Sequence, residues 1–264
     1  MRRLLLLAVL ALPAPAQATE VFAHRGGPLI DGVRWFPENT LPAFRHAARN
    51  GTALELDVRL TLDRVPLVLH DEALDRTTTC HGSVSVYDSG VVRRRCRARW
   101  PGSGRRTGVP TLAAVLRIAA RHRVQAMVEI KSVDEAWDVV AALRRSPLPQ
   151  RRVIVQSFLP RALRIAQEGW PGVPTALLST HGDRRRALQH AYRRFTYVAP
   201  RWPVPRSYVS FAHALGVRVL PFGLHSAAAV DRAATVGADA LITDDPAAAF
   251  RALVFFAVAR GQRD

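Results

Sequence analysis

Residues 54–71 read LELDVRLTLDRVPLVLHD and contain two strand-like apolar runs separated by very few residues. Parallel neighbouring strands require a crossover of about a dozen residues or more, so these two runs must form an antiparallel hairpin. Acidic residues lie in the first run, and the pair His70-Asp71 closes the second. We therefore expect a hairpin that carries polar chemistry on otherwise apolar strands.

Apolar runs alternate with amphipathic helical patterns along nearly the whole chain, without a linker that would mark a second domain. Repeated strand-helix units predict a parallel sheet. There are nine apolar runs, and removing the returning arm of the hairpin leaves eight barrel strands. The sequence thus predicts an α/β fold, a (β/α)8 barrel of the TIM type with the hairpin on its catalytic face.

The segment from about residue 72 to 109 interrupts this alternation. It is polar, rich in Gly and Arg, and contains both cysteines, Cys80 and Cys96. We interpret it as an irregular insertion folded over the barrel mouth, as a lid or a disordered excursion. Two cysteines this close in an exported protein typically pair, so we expect a Cys80–Cys96 disulfide, with two free thiols as the alternative.

The first 18 residues, MRRLLLLAVLALPAPAQA, are typical of a secretory signal peptide. Arg2 and Arg3 precede a short apolar run, and the small-x-small pattern of residues 16–18 ends it. This run is too short to span a membrane. We expect an exported protein (secreted, periplasmic or at the cell surface) whose mature chain, residues 19–264, is a single domain; a frayed N-terminal helix is the alternative.

The chain has a formal net charge of +17, with arginines scattered over many segments and Lys131 as the only lysine. It contains no zinc-finger or RNP-like motif and no basic helix interleaved with aromatic residues, so we expect no nucleic-acid partner. The charge fits a small anionic substrate or peripheral contact with an anionic membrane surface. The sequence does not set the oligomeric state.

Three carboxylates share a predicted location inside the barrel. In LELDV, Glu55 and Asp57 lie on one face of the strand, and in MVEIKS, Glu129 and Lys131 also lie on one face. The apolar alternate residues should face the helices, which turns the charges inward. Three carboxylates suit a hard cation, and export favours Ca²⁺ over Mg²⁺; a structural ion-pair cluster around Lys131 is the alternative.

Two histidines are expected beside these carboxylates. If Asp63 and Arg64 are the two turn residues of the hairpin, Asp57 lies opposite His70. Arg64 is unusual at the second position of a two-residue turn, so neighbouring registers stay open. His24 ends the adjacent run VFAHRG. Two imidazoles at strand ends near a carboxylate cluster indicate an acid/base pair.

This combination fits a phosphodiester substrate. A cation and Arg25 would hold the anionic oxygens, while the histidines would serve the nucleophile and the leaving group. Sugar hydrolysis would use two carboxylic acids without two histidines. A serine hydrolase would need the nucleophile elbow G-x-S-x-G, which the sequence lacks.

Six motifs in order over nearly the whole mature chain resemble those of the glycerophosphodiester phosphodiesterase family. They are HRGG at 24–27, PENT at 37–40, ELDV at 55–58, HD at 70–71, EIK at 129–131 and ITDDP at 242–246. The resemblance implies metal-dependent hydrolysis of a glycerophosphodiester to sn-glycerol 3-phosphate and an alcohol. It also implies an acid/base pair of His24 and His70, phosphate contact by Arg25, support by Lys131, and as metal ligands Glu55, Asp57 and Glu129.

The chain departs from this family pattern in three places. Phe222 stands where members often carry a Trp in a WTVN-like strand, the hairpin turn is DR instead of DG, and the insertion is unusually rich in Arg. These differences leave the alcohol preference open. The alternatives are a related barrel phospholipase (of the D or phosphatidylinositol C type) acting on intact membrane lipids, and a non-catalytic binder of anionic ligands. We expect Asn39 to be the N-cap of the following helix.

Overall fold

The computed structural model describes residues 19–100, 102 and 104–261, so the predicted signal peptide lies outside the described residues. The strands are β1 Glu20–Ala23, β2 Leu29–Ile30, β3 Val33–Arg34, β4 Ala53–Leu60, β5 Pro66–Val68, β6 Arg97–Arg99, β7 Arg106–Gly108, β8 Ala126–Ile130, β9 Val153–Ser157, β10 Thr175–Ser179, β11 Tyr197–Pro200, β12 Arg218–Val219 and β13 Ala240–Thr243. The helices are α1 Leu41–Arg49, α2 Ser89–Arg95, α3 Leu112–His122, α4 Ala136–Arg144, α5 Pro160–Gly169, α6 Arg184–Ala191, α7 Arg206–Ala214, α8 Ala227–Thr235 and α9 Pro246–Gly261.

Eight parallel strands form the barrel, in the order β12-β11-β10-β9-β8-β4-β1-β13. The strands at the two ends of this order, β12 and β13, are connected by backbone hydrogen bonds that close the barrel. Asp239 N donates to Val219 O at 2.9 Å, and Ile242 N donates to Pro221 O at 3.0 Å. The predicted barrel is therefore confirmed. Within the described part of the chain, no helix is both long and apolar enough to cross a membrane.

The barrel strands bury apolar side chains on both faces. On β4, Leu54, Leu56 and Val58 join the large cluster between strands and helices. Phe22 and Met127, on the neighbouring strands, belong instead to a second cluster that fills the barrel interior. The alternate residues of β4, Glu55 and Asp57, consequently point inward, as their spacing predicts.

The helices cover the barrel through regular apolar stripes. In α3, four buried residues recur at intervals of three and four: Leu112, Val115, Leu116 and Ala119. That spacing places them on one face of a helix. Thr111 caps the start of α3 by accepting a hydrogen bond from Ala114 N at 3.2 Å. The stripe packs against the strand side chains of β4, which fixes β4 and its inward carboxylates.

The hairpin is present, but its predicted register is wrong by one residue. Strands β4 and β5 pair with Val58 opposite Val68, and Leu69 N donates to Asp57 O at 3.0 Å. Asp57 therefore lies opposite Leu69, not His70. The turn has three residues, 62–64, because Arg64 adopts the left-handed conformation at φ 57° that closes such loops.

The insertion is more ordered than the sequence predicts. Its described part contains α2, the hairpin β6–β7 and a 3-10 turn at Val84–Val86. A separate apolar cluster joins it to β5, and this cluster comprises Leu67, Leu69, Leu74, Val84, Val92, Cys96 and Val109. The Cys80–Cys96 disulfide is present and spans 16 residues. In the chain-entropy model a cross-link of that span contributes about 3 kcal/mol to the free energy of unfolding.

Candidate active site

The three predicted metal ligands come together at the end of the barrel where the parallel strands finish. Asp57 on β4 is paired in register with Glu129 on β8. Glu55 lies two residues before Asp57 on β4 and therefore on the same face of the strand. Each offers a carboxylate oxygen within 4.8 Å of the other two, and all three residues are buried. Because the three side chains project from rigid strands, their mutual geometry is set by the barrel itself.

Lys131 lies inside this carboxylate cluster. Its Nζ is 2.7 Å from Asp57 Oδ1 and 2.8 Å from Glu129 Oε2. Burial alone would raise the pKa of Asp57, but the charges of Lys131 and Arg25 outweigh burial and hold that pKa well below its ordinary value. Burial, reinforced by Asp57, raises the pKa of Glu129 to about 8, and the same two causes raise the pKa of Glu55. The cations Lys131 and Arg25 thus offset the burial of Asp57 but not that of Glu55 and Glu129.

Two buried amides complete the oxygen-rich surroundings. Asn39 Nδ2 donates to Asp57 Oδ2 at 2.9 Å, and Gln156 Nε2 donates to Glu55 Oε1 at 2.5 Å. Their oxygens, Asn39 Oδ1 and Gln156 Oε1, are buried and accept no hydrogen bond from the described part of the chain. Carboxylate and amide oxygens are the ligands that Ca²⁺ and Mg²⁺ take. The residues present therefore fit a divalent cation held by Glu55, Asp57 and Glu129.

Asn39 is not the helix N-cap that the sequence predicts. The N-cap of α1 is Thr40, and Asn39 is buried at φ 56°, with its backbone N–H donating to Arg25 O at 2.8 Å. A left-handed residue other than Gly costs free energy, which Asn tolerates better than most. Here that conformation directs the Asn39 side chain to Asp57 and away from the helix end.

His24, which follows β1, is held by a carboxylate that the sequence interpretation did not single out. His24 Nδ1 lies 2.6 Å from Asp244 Oδ1 at the end of β13. Burial alone would lower the pKa of His24, but the hydrogen bond to Asp244 and the charge of Glu55 outweigh it and raise that pKa. Although burial opposes the shift, His24 holds the pKa of Asp244 at about 2, so Asp244 is a carboxylate that accepts from Nδ1–H. Asp244 thereby engages Nδ1 and leaves Nε2 as the ring nitrogen of His24 that could exchange a proton.

His70 has a matching arrangement. Its Nδ1 lies 2.6 Å from Asp71 Oδ1. Hydrogen bonding from Arg76 is the main reason why the pKa of Asp71 falls to about 2, so Asp71 also accepts from Nδ1–H. Burial is the main cause that lowers the pKa of His70. Strand β5 ends at Val68, so the alternation of side chains along a strand does not decide where the His70 side chain points. The one-residue change in the hairpin register therefore does not move His70 away from the site.

Arg25 is turned into the site by the glycines that follow it. Gly26 adopts φ +90°, and a Cβ there would lie 2.8 Å from Ala43 Cβ, so only Gly allows this turn. Arg25 N donates to Glu55 Oε2 at 2.9 Å, and Arg25 Nη1 donates to Glu38 Oε1 at 3.0 Å. All seven predicted site residues therefore meet at one end of the barrel.

Two phenylalanines line another part of the same barrel end. Phe158 follows β9 and Phe222 follows β12, and their rings meet edge to face with centroids 6.0 Å apart. Phe158 is 42% exposed, whereas Phe222 packs partly against the cluster inside the barrel. Phe222 thus supplies an apolar wall at the position where members of the resembled family often carry a Trp.

A family model and several relatives match the chain. The model described as "Glycerophosphoryl diester phosphodiesterase family" matches residues 24–248. A glycerophosphodiester phosphodiesterase of Caldanaerobacter subterraneus is 30% identical over 243 residues, covering 86% of this chain and 95% of the relative. Glycerophosphodiester phosphodiesterase 1 of Bos taurus is 30% identical over 203 residues, covering 70% of this chain and 58% of the bovine protein.

Solved structures share the fold. A glycerophosphodiester phosphodiesterase from Agrobacterium tumefaciens superposes with a TM-score of 0.71 at 25% identity, covering 88% of this chain and 99% of that one. An Oleispira antarctica phosphodiesterase in complex with the product sn-glycerol-3-phosphate superposes with a TM-score of 0.76 at 24% identity, covering 89% and 97%. In both cases the similarity covers nearly nine tenths of this chain.

Proposed function

Because the chain belongs to the glycerophosphoryl diester phosphodiesterase family, we propose that it hydrolyses glycerophosphodiesters to sn-glycerol 3-phosphate and an alcohol. The observation that carries the proposal is the pair of histidines, each oriented by a carboxylate, beside three buried carboxylates that fit a divalent cation. The solved relative that contains sn-glycerol 3-phosphate supports this choice of substrate.

Substrate binding is assigned to the cations of the site. Glu55, Asp57 and Glu129 would hold a divalent ion, Ca²⁺ in preference to Mg²⁺, that neutralises phosphate charge and polarises phosphorus. Arg25 contacts the phosphate, and its guanidinium is already oriented by Glu38. Lys131 supports the site by keeping Asp57 and Glu129 close together despite their like charges.

Proton transfer is divided between the two histidines by their surroundings. The pKa of His70 is lowered, which favours a neutral base, and the pKa of His24 is raised, which favours a protonated acid. In the first step the 2-hydroxyl of glycerol gives its proton to His70 Nε2 and its oxygen bonds to phosphorus. The bond from phosphorus to the alcohol oxygen breaks, and His24 protonates that oxygen.

The second step opens the cyclic phosphate formed in the first. Water attacks phosphorus, the bond to the glycerol 2-oxygen breaks, and sn-glycerol 3-phosphate leaves. Neutral His24 now accepts the proton of water, and protonated His70 returns a proton to the 2-oxygen. Each histidine ends in its starting state, as a catalytic cycle requires.

A substrate panel tests the proposed function against its two alternatives. We expect the purified protein, supplied with Ca²⁺ or Mg²⁺, to release sn-glycerol 3-phosphate from glycerophosphocholine, glycerophosphoethanolamine or glycerophosphoglycerol in an enzyme-coupled assay. Hydrolysis confined to vesicles of intact phospholipid would identify a phospholipase. Binding of these diesters without turnover would identify a non-catalytic binder.

Peripheral contact with an anionic membrane surface is also proposed. It is supported by exposed arginines on the insertion, which comprise Arg93, Arg94 and Arg95 on α2 and Arg99 and Arg106 on β6–β7. Such a surface attracts anionic lipid by roughly 1 kcal/mol per basic residue. Cosedimentation with phosphatidylglycerol vesicles but not with phosphatidylcholine vesicles is expected, and equal recovery with both would contradict the proposal.

Export of residues 19–264 as a single barrel domain is proposed from residues 1–18 and from the Cys80–Cys96 disulfide, which persists in oxidising compartments. Intact mass and N-terminal sequence of protein recovered outside the cytoplasm are expected to show a chain that begins at Thr19 with both cysteines oxidised. A full-length cytoplasmic chain with two free thiols would contradict this proposal.

A further inference from the structure

Arg76, on the insertion, reaches into the active site and binds two carboxylates at once. Its Nε donates to Asp71 Oδ2 at 2.5 Å, and its Nη2 donates to Asp71 Oδ1 at 3.1 Å. Its Nη1 donates to Glu38 Oε2 at 2.9 Å, and its Nη2 donates to Glu38 Oε1 at 2.7 Å. This is the planar, doubly bidentate pairing that a guanidinium can make and an ammonium cannot.

Each of these carboxylates also holds a residue of the proposed mechanism. Asp71 Oδ1, which Arg76 contacts, is the atom that orients His70 Nδ1 at 2.6 Å. Glu38 Oε1, which Arg76 also contacts, is the atom that binds Arg25 Nη1 at 3.0 Å. A single guanidinium thus connects the histidine that takes the proton with the arginine that contacts the phosphate.

The segment that carries Arg76 is anchored on both sides. Thr78 Oγ1 donates to Leu74 O at 2.8 Å, and Leu74 N donates to Gly82 O at 2.9 Å. Cys80 then joins the segment to Cys96 through the disulfide. Arg76 therefore projects from a short, constrained loop, which lowers the conformational entropy lost in holding its two partners.

We propose that Arg76 is a positioning residue that sets His70 through Asp71 and Arg25 through Glu38. This inference rests on the proposed function, since it assigns Arg76 a part in that same reaction. Without Arg76, Asp71 and Glu38 lose their shared cation and both move away from the positions that they now hold. The insertion then contributes Arg76 to the catalytic site through Asp71 and Glu38.

Steady-state kinetics with glycerophosphocholine can distinguish the contact of Arg76 with Asp71, which orients His70, from its contact with Glu38, which orients Arg25. Arg76→Ala is expected to lower kcat by about 10²-fold, the cost of a misplaced catalytic group, and to raise KM. Asp71→Asn is expected to lower kcat mainly, and Glu38→Gln to raise KM mainly. Arg76→Lys is expected to recover only part of the loss, because Lys lacks the fork that pairs with both carboxylates.

Two controls distinguish positioning from general stabilisation. Arg164→Ala removes an exposed arginine on α5, outside the insertion, and Val92→Ala opens a cavity in the insertion core without touching Asp71 or Glu38. Both are expected to keep kcat and KM close to those of the wild type, even where Val92→Ala lowers Tm as much as Arg76→Ala does.

Three outcomes decide the inference. Wild-type kcat and KM in Arg76→Ala would overturn it, as would an equal loss of kcat in Val92→Ala at the same Tm. Full recovery by Arg76→Lys would show that charge alone suffices and would overturn the positioning role. A wild-type protein without turnover would refute the proposed function itself, which is a separate failure.

Discussion

Replacing His24 with alanine is expected to lower kcat for glycerophosphocholine by about 10²–10⁴-fold, the range of a general acid or base. The protonated imidazole, held by Asp244, supplies the proton without which the alcohol leaves as a strongly basic alkoxide. His70→Ala should cost a similar factor, because the glycerol hydroxyl then attacks phosphorus without a base. Both losses are measured as release of sn-glycerol 3-phosphate at saturating substrate and metal.

The two histidines are distinguished by changing the leaving group. With a glycerophosphodiester of p-nitrophenol, whose anion leaves without protonation, His24→Ala should recover most of its lost rate in the first step. His70→Ala should not recover, because its defect is in activating the nucleophile. Recovery by His70→Ala instead would show that the acid and base are reversed. His190→Ala, which changes a histidine on α6 outside the site, is the matched control and should behave as the wild type.

Removing divalent cations is expected to lower kcat/KM by about 10³-fold, because several kcal/mol of charge stabilisation at the phosphate is lost. Glu129→Gln should cause a comparable loss, since it removes one of three ligands. Ca²⁺ should restore the EDTA-treated enzyme more effectively than Mg²⁺. The measurement is turnover before and after EDTA, followed by addition of each metal.

Calorimetric titration of the metal-free protein gives a readout that is independent of activity. Wild type should bind Ca²⁺, Glu129→Gln should bind it much more weakly, and Glu168→Gln should bind it normally, since Glu168 is an exposed carboxylate on α5. Undiminished turnover in EDTA together with no heat of Ca²⁺ binding would refute the metal site and leave the histidine proposal standing.

The barrel and the inward carboxylates were predictable because they follow from short-range rules. Counting apolar runs and requiring a hairpin between β4 and β5 leaves eight parallel strands, and alternation along β4 alone turns Glu55 and Asp57 inward. The hairpin register was not predictable from those rules. It depends on whether Arg64 accepts a left-handed conformation, and the structure shows that it does.

The supporting residues of the site depend on contacts between distant parts of the chain. Asp244 meets His24 across 220 residues of sequence, and Gln156 meets Glu55 across 101. Asn39 has the side chain of a typical helix N-cap, but that side chain forms a hydrogen bond with the distant Asp57 instead of capping α1. A signal was present for Asp244, an acidic residue directly after the barrel strand β13. No local pattern could connect Arg76 with Glu38, because the fold of the insertion determines that contact.

Cleavage of glycerophosphodiesters by two histidines beside a carboxylate cluster can be checked in a single comparison. Wild type and the double variant His24→Ala/His70→Ala, both supplied with Ca²⁺, are assayed side by side for sn-glycerol 3-phosphate released from glycerophosphocholine. We expect steady release by the wild type and none above background by a folded double variant. Equal release by the two proteins would contradict this expectation.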